Sequence, residues 1–344
     1  MKVGASFART DPGRRRRGNE DAYVLQPPLF AIADGMGGAQ AGEVASALAA
    51  EAVRELDVHG SADRRVVALI QEANRRVHER ASTDASTTGM GTTITVAIVE
   101  DDGRIAFGHV GDSRAYLLRG DELEQITDDH SLVAELVRRG ELSPAEAEVH
   151  PQRSVITRAL GTEPDIDVDT FAIAGLPGDL FLICSDGLSD MVDQETIEAI
   201  LRTNRNDLDA ASKALVQAAN RAGGEDNITA VLFEIADGDV SAGEPDETTR
   251  EATALQQHVD EDTLHPEDDV PLAAPRDDTM IVPASQIDAH MLDAQSVETQ
   301  PLAASGQSAE EEFEAGIGRR LLALAVIIGL CALIVVLVWW GLAR

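Results

Sequence analysis

Apolar positions over the first two thirds of the chain follow two rhythms. Short runs rich in Val, Ile, Thr and Phe occur at 29–33 (LFAIA), 92–100 (TTITVAIVE), 104–110 (RIAFGHV), 114–118 (RAYLL), 179–184 (DLFLIC) and 228–235 (ITAVLFEI). Each stops at or beside a Gly or Asp, as strands do. A further short apolar stretch follows Asp21 in GNEDAYVL. Apolar residues spaced i, i+3, i+4 predict helices over 41–57, 63–81, 131–139, 193–203 and 207–222. Asp101-Asp102-Gly103 predicts a hairpin turn between two strands. Strands joined by tight turns, with helices inserted in blocks, predict an α+β fold with antiparallel sheets rather than a doubly wound one.

The rhythm ends near residue 236. Residues 237–318 are rich in Ala, Thr, Pro, Gln and acidic side chains, with Phe313 the one aromatic. Such a segment cannot bury enough apolar surface to offset its chain entropy, so a disordered linker is expected. Residues 321–340 are twenty consecutive uncharged, mostly apolar residues, ending in Trp339 and Trp340. As a helix they would span roughly 30 Å, the thickness of a bilayer's hydrocarbon core. Arg319 and Arg320 precede the run, which sets its N-terminal side in the cytoplasm. The expected organisation is therefore a folded domain over 1–236, a linker over 237–318 and a membrane anchor over 319–344. The expected location is the cytoplasmic face of the membrane.

Charge sharpens this division. The net charge is −33, and residues 236–316 carry 21 Asp and Glu against two Arg. Lysine occurs only at positions 2 and 213. That balance repels polyanions and argues against nucleic-acid binding. The two cysteines, Cys184 and Cys331, fall in the folded domain and the membrane run. A disulfide between them is implausible, and free thiols fit a reducing compartment. Cys184 reads as a packing residue.

The candidate chemistry lies at the strand ends. LFAIA runs into Asp34-Gly35, RIAFGHVG into Asp112, and LFLICS into Asp186-Gly187, while Asp226 stands just ahead of ITAVLFEI and Glu20-Asp21 ahead of AYVL. One Asp-Gly pair at a strand end is usually a turn. Five acidic strand ends in one domain admit a second reading, carboxylates converging on one sheet edge. Crowded carboxylates call for a cation, and oxygen ligands select hard ones, Mg²⁺ or Mn²⁺. Spacing alone leaves both readings open. DGMGGAQAGE fits neither a dinucleotide-binding nor a phosphate-loop pattern, and no EF-hand loop is present.

Seven segments in order carry a resemblance: TDPGRRRRGNEDAY, ADGMGGAQAGEVAS, GMGTTITVAIV, GHVGDSRAYLLR, ITDDHSLV, CSDGLSD and EDNITAVL. Together they resemble the metal-dependent protein phosphatases of type 2C (PPM), in their bacterial membrane-tethered Ser/Thr form, over roughly 1–236. The resemblance implies a β-sandwich of two antiparallel sheets flanked by helices, with metals at one end. It implies that Asp34 bridges two ions, that Gly35 ligates through its carbonyl, and that Asp186 and Asp226 complete the pair. Asp21 with Glu20 matches the acidic pair that orients water. Asp112, with Asp186, matches a weaker third metal site. Arg16, with Arg14, Arg15 and Arg17 beside it, matches the arginine that grips the substrate phosphate.

The implied activity is hydrolysis of phosphoserine and phosphothreonine by water activated between two Mn²⁺ or Mg²⁺ ions. A bacterial Ser/Thr kinase is the expected counterpart. The rival reading is a catalytically dead phosphoprotein-binding scaffold at the membrane. The chain departs from many relatives after DGMGG, where Ala39-Gln40 stand in place of a histidine, so no general acid is assigned. His109, His130 and His150 would ordinarily pack or cap, and His130 is the best placed of them for a substrate-side role. The stretch 131–160 matches the family's flap and concentrates Arg138, Arg139, Arg153 and Arg158. In the linker, threonines follow acidic residues in PDETTR, DEDTLHP, PRDDTMIVP and SVETQP. Chance composition explains them; phosphorylation and docking to phosphothreonine-binding domains is the alternative.

Overall fold

The computed structural model describes residues 1–37, 41–56, 58–237 and 280–281. The run 321–340 and the linker motifs around Thr248, Thr263, Thr279 and Thr299 lie outside the described residues, Met280–Ile281 apart. Among the described residues no helix is long and apolar enough to cross a membrane.

Twelve strands precede the linker. They are β1 (Lys2–Asp11), β2 (Asp21–Gln26), β3 (Leu29–Met36), β4 (Gly91–Thr92), β5 (Ile94–Val99), β6 (Arg104–Val110), β7 (Arg114–Arg119), β8 (Glu122–Gln125), β9 (Val155–Ile156), β10 (Asp169–Ala174), β11 (Leu180–Cys184) and β12 (Ile228–Ala236). The helices are α1 (Ala41–Glu55), α2 (Ala62–Thr83), α3 (Leu132–Arg138), α4 (Pro144–Glu148), α5 (Asp186–Ser189), α6 (Gln194–Thr203) and α7 (Leu208–Ala222). One sheet has the order β1-β12-β11-β7-β8 and the other β10-β6-β5-β3-β2, with β4 paired to β3. All pairings within the two sheets are antiparallel.

Strand parity sorts the side chains into three cores. Odd positions of β11 and β12 (Phe181, Ile183, Val231, Phe233, Ile235) and even positions of β3 (Phe30, Ile32) meet between the sheets. Phe30 of one sheet stacks on Phe233 of the other at 4.2 Å. The opposite parity faces helices: Ala31 and Ala33 pack with α1 and α2, while Leu180, Leu182 and Cys184 pack with α6 and α7. A strand buried on both faces has no polar positions, which is why these segments read as unbroken apolar runs.

Local chemistry sets the helix ends. Asp193 and Asp207 accept the Thr196 and Ala210 amides as N-caps of α6 and α7. The predicted hairpin at 101–103 forms, with the Glu100 amide donating to the Arg104 carbonyl and Gly103 at φ 87°. Among the described residues of the linker expected to lack structure, Met280–Ile281 forms a thirteenth strand, β13, parallel to β9.

Candidate active site

The parity that builds the inter-sheet core also delivers the site. Following Phe30 and Ile32 along β3, the next residue on that face is Asp34. Following Leu25 and Tyr23 back along β2, it is Asp21, directly opposite Asp34 in the register. Two carboxylates at one cross-strand position repel each other. From the other sheet, the position after Ile183 is Ser185 and the one before Val231 is Thr229. Both hydroxyls donate to Asp21 Oδ2, at 2.9 and 2.6 Å.

The remaining acids close around this edge. Asp186 opens α5 immediately after Ser185. Asp112 lies in the β6–β7 turn, and Asp226 lies just ahead of β12. Glu20 donates its amide to Asn227 Oδ1 at 2.8 Å and accepts the Gly35 amide at 3.1 Å. Glycine is required at 35, because a Cβ there would stand 2.1 Å from the Gly42 carbonyl oxygen of α1. Likewise a Cβ on Gly187 would stand 2.1 Å from the Asn227 carbonyl oxygen. Each glycine thus lets two backbones close on the acidic edge.

The electrostatics are those of anions brought together. Burial, then the charges of Asp21, Asp186, Asp226 and Asp112, pushes the Asp34 carboxyl well above the usual carboxylate range. Burial, then Asp112, Asp226, Asp190 and Asp21, does the same to Asp186. Asp21 is pushed up to about 7 by burial, against the lowering effect of the Thr229 and Ser185 hydroxyls. Asp112 also rises to about 7, chiefly through burial. Asp21, Asp112 and Asp186 each bury an Oδ1 with no hydrogen-bond partner. Buried polar atoms are ordinarily paired, so such a group of orphaned oxygens fits a cation. The donor set is all oxygen, which suits Mg²⁺ or Mn²⁺. As they stand, no three acidic, histidine or cysteine side chains among the described residues close on a single ion; they form a cluster rather than a finished cage.

Comparison with known proteins decides the family. Residues 18–218 match the family model described as protein phosphatase 2C. The chain belongs to the protein phosphatase 2C family. It is 41% identical over 238 residues to "Serine/threonine phosphatase stp" of Listeria innocua, covering 66% of this chain and 94% of that protein. Among solved structures, the Mycobacterium tuberculosis serine/threonine phosphatase PstP/Ppp matches with 39% identity and a TM-score of 0.65, over 68% of this chain and 100% of that one. A structure of the PstP catalytic domain in complex with two manganese ions matches with 36% identity and a TM-score of 0.63, over 69% of this chain and 100% of that one.

Within this phosphatase 2C domain the other sequence candidates separate. Arg16 is at the site, with Nη2 on Asp226 Oδ2 at 2.8 Å. His130 is not placed for substrate: it is 1% exposed, accepts the Gly111 amide at Nδ1 (3.0 Å) and donates from Nε2 to Asp169 (3.0 Å). His109 is 1% exposed between Thr95 Oγ1 and the Asp128 carbonyl. The flap arginines are largely engaged internally. Arg158 pairs with Asp169 at 2.5 Å, Arg139 with Glu135 at 3.4 Å, and Arg138 reaches the Asp129 carbonyl. Cys184 faces the α6/α7 core, and burial pushes its thiol up to about 12, so it packs. Ser185 and Thr229 are residues of the acidic edge that motif reading passes over. Their signal was parity: both continue the inter-sheet face into the acidic edge.

Proposed function

We propose that this chain is a metal-dependent protein phosphatase acting on phosphoserine and phosphothreonine. The observation that carries the reading is the half-buried edge of Asp21, Asp34, Asp112 and Asp186, three of them with an enclosed, unpartnered oxygen, in a phosphatase 2C domain. In this reading Asp34, the Gly35 carbonyl, Asp186 and Asp226 would hold two Mn²⁺ or Mg²⁺ ions, and Asp112 with Asp186 a third. Bound there, the ions would supply Lewis acidity and activate water near neutral pH.

The chain's own groups do the rest. Ser185 and Thr229 anchor one oxygen of Asp21 and leave Oδ1 unpartnered, available to orient water together with Glu20. Asp226 keeps the Arg16 guanidinium at the rim. There its planar fork suits the equatorial oxygens of a phosphoryl group, where negative charge is concentrated during transfer. All the acidic positions that the family resemblance assigns are present, which favours an enzyme over a scaffold.

The apolar run 321–340 after Arg319-Arg320 supports a second element of the proposal, a single-pass anchor that keeps the domain at the cytoplasmic face, opposing a Ser/Thr kinase. The catalytic reading is tested by hydrolysis of p-nitrophenyl phosphate and a phosphothreonine peptide with Mn²⁺ titrated in. EDTA should abolish both activities and Mn²⁺ should restore them; full activity in EDTA refutes the reading. Fractionation of cells expressing the full chain tests the anchor, which predicts recovery with membranes that persists in high salt.

A further inference from the structure

The β9–β13 pairing is not absorbed by the phosphatase reading. Strand β9 has two edges. On one, Ile156 bridges Ser131 in antiparallel fashion and the Thr157 amide donates to the His130 carbonyl at 2.8 Å. That pattern turns the amide and carbonyl of Ile156 itself to the opposite edge. There β13 lies parallel, with Met280 beside Val155 and Ile281 beside Ile156.

The occupant is distinctive in sequence. Met280-Ile281-Val282 is the one run of three large apolar residues between 237 and 318, and it ends at Pro283. Apolar strand propensity thus agrees with the pairing.

The position matters because β9 is tied to the acidic edge twice. Ile156 is buried in a small cluster with Met36 and Ala159, and Met36 is two residues from Asp34. Arg158 pairs with Asp169, which accepts from His130, which in turn accepts the amide of Gly111 beside Asp112. An exposed strand edge recruits extended peptides through main-chain hydrogen bonds, largely regardless of side chain.

We propose that the outer edge of β9 is a strand-docking site beside the catalytic edge, that the Met280–Ile281 segment of the chain's own acidic linker is its resident occupant, and that phosphopeptide substrates compete with that segment for it. The competition rests on the phosphatase reading above; the docking does not. A small aryl phosphate needs no strand edge and escapes the competition.

The test uses the full chain and the variants Met280→Pro and, as a control elsewhere in the linker, Leu302→Pro. In the parallel register Met280 turns its amide and carbonyl toward β9, so proline there removes a ladder donor. In Met280→Pro, hydrogen exchange at the Ile156 amide should accelerate by roughly tenfold or more, while the control matches the parent. KM for a phosphothreonine peptide should fall about three- to tenfold with kcat unchanged, and p-nitrophenyl phosphate turnover should not change. A synthetic peptide spanning 275–283 should then inhibit the variant competitively against phosphopeptide. Equal exchange at Ile156 in parent and variant overturns the docking. Accelerated exchange with an unchanged peptide KM overturns the competition. If the parent hydrolyses no phosphate ester at all, the phosphatase reading fails, and the exchange result still decides the docking.

Discussion

Strand β11 carries an aspartate at each end, and the two are treated oppositely. Asp179, just before the strand, is buried and fully answered: Arg119 donates to both of its oxygens, at 2.9 and 2.6 Å, and the Leu176 amide adds a third bond at 2.8 Å. Asp186, just after the strand, is half-buried with its Oδ1 enclosed and unpartnered, and the charges acting on it are those of Asp112, Asp226, Asp190 and Asp21. The same residue type, a strand's length apart, serves the fold at one end and opposes it at the other. Burial of a carboxylate therefore says little by itself. Whether the surroundings answer its charge separates a structural aspartate from one kept for a ligand.

Exchanging asparagine for each aspartate should split the pair. Asp186→Asn should lower kcat by roughly a thousandfold or more, because the position loses its charge where a cation is to be held. Its melting temperature in EDTA should rise, since an unanswered buried charge has been removed. Asp179→Asn should do the reverse, leaving kcat near that of the parent and destabilising the fold by about 2–3 kcal/mol in urea titration. That figure sits below the range for a fully enclosed pair because Arg119 is 43% exposed. If Asp186→Asn lost stability and kept activity, the contrast between the two ends would be void.

A smaller effect sharpens the same contrast. Ser185→Ala and Thr229→Val each remove one of the two hydroxyl donors that hold Asp21. Each should lower kcat about ten- to a hundredfold, the usual cost of losing a group that orients a ligand. Circular dichroism melts should also fall, because Ser185 Oγ accepts the Thr229 amide at 2.9 Å and Thr229 Oγ1 bonds Thr10 Oγ1 at 2.7 Å.

The smallest effect concerns His109, which is buried but satisfied while neutral. Burial, then the neighbouring His130, holds its pKa down to about 3. An unfolded histidine titrates near 6.5, so as pH falls below that value the unfolded chain takes up the proton first. The stability His109 contributes is present above about pH 6.5 and is lost progressively toward pH 3. His109→Gln should be relatively less sensitive to acid when the two proteins' melting temperatures are compared from pH 7.5 to 4. The carboxylates contribute to both curves and cancel in the difference.

The central strands β3, β5, β6, β7, β11 and β12 were all legible as apolar runs, with ends within a few residues of those observed. β1, β8 and β10 were not, and β2 showed only as a short apolar stretch after Asp21; these are the four edge strands of the two sheets. An edge strand has a neighbour on one side and thinner cover on its faces. The half-buried pattern of β1 and the alternation in β10 leave mixed sequences that resemble loops. The acidic strand ends were legible for the opposite reason, since an aspartate that stops an apolar run is conspicuous.

By itself the sequence determined the central strands and most helices, through periodicity, together with the list of acidic strand ends; the two-sheet sandwich came from the family resemblance. It could not rank those acids, because charge is local to a residue while its answer comes from elsewhere in the chain. Only the tertiary structure set Asp21 opposite Asp34, brought Ser185 and Thr229 onto Asp21, gave Arg119 to Asp179 and left Asp186 without a cation of its own. The physical reason is that desolvation and Coulomb interaction depend on distances between segments that are separate in the chain, and strand register and sheet packing set those distances.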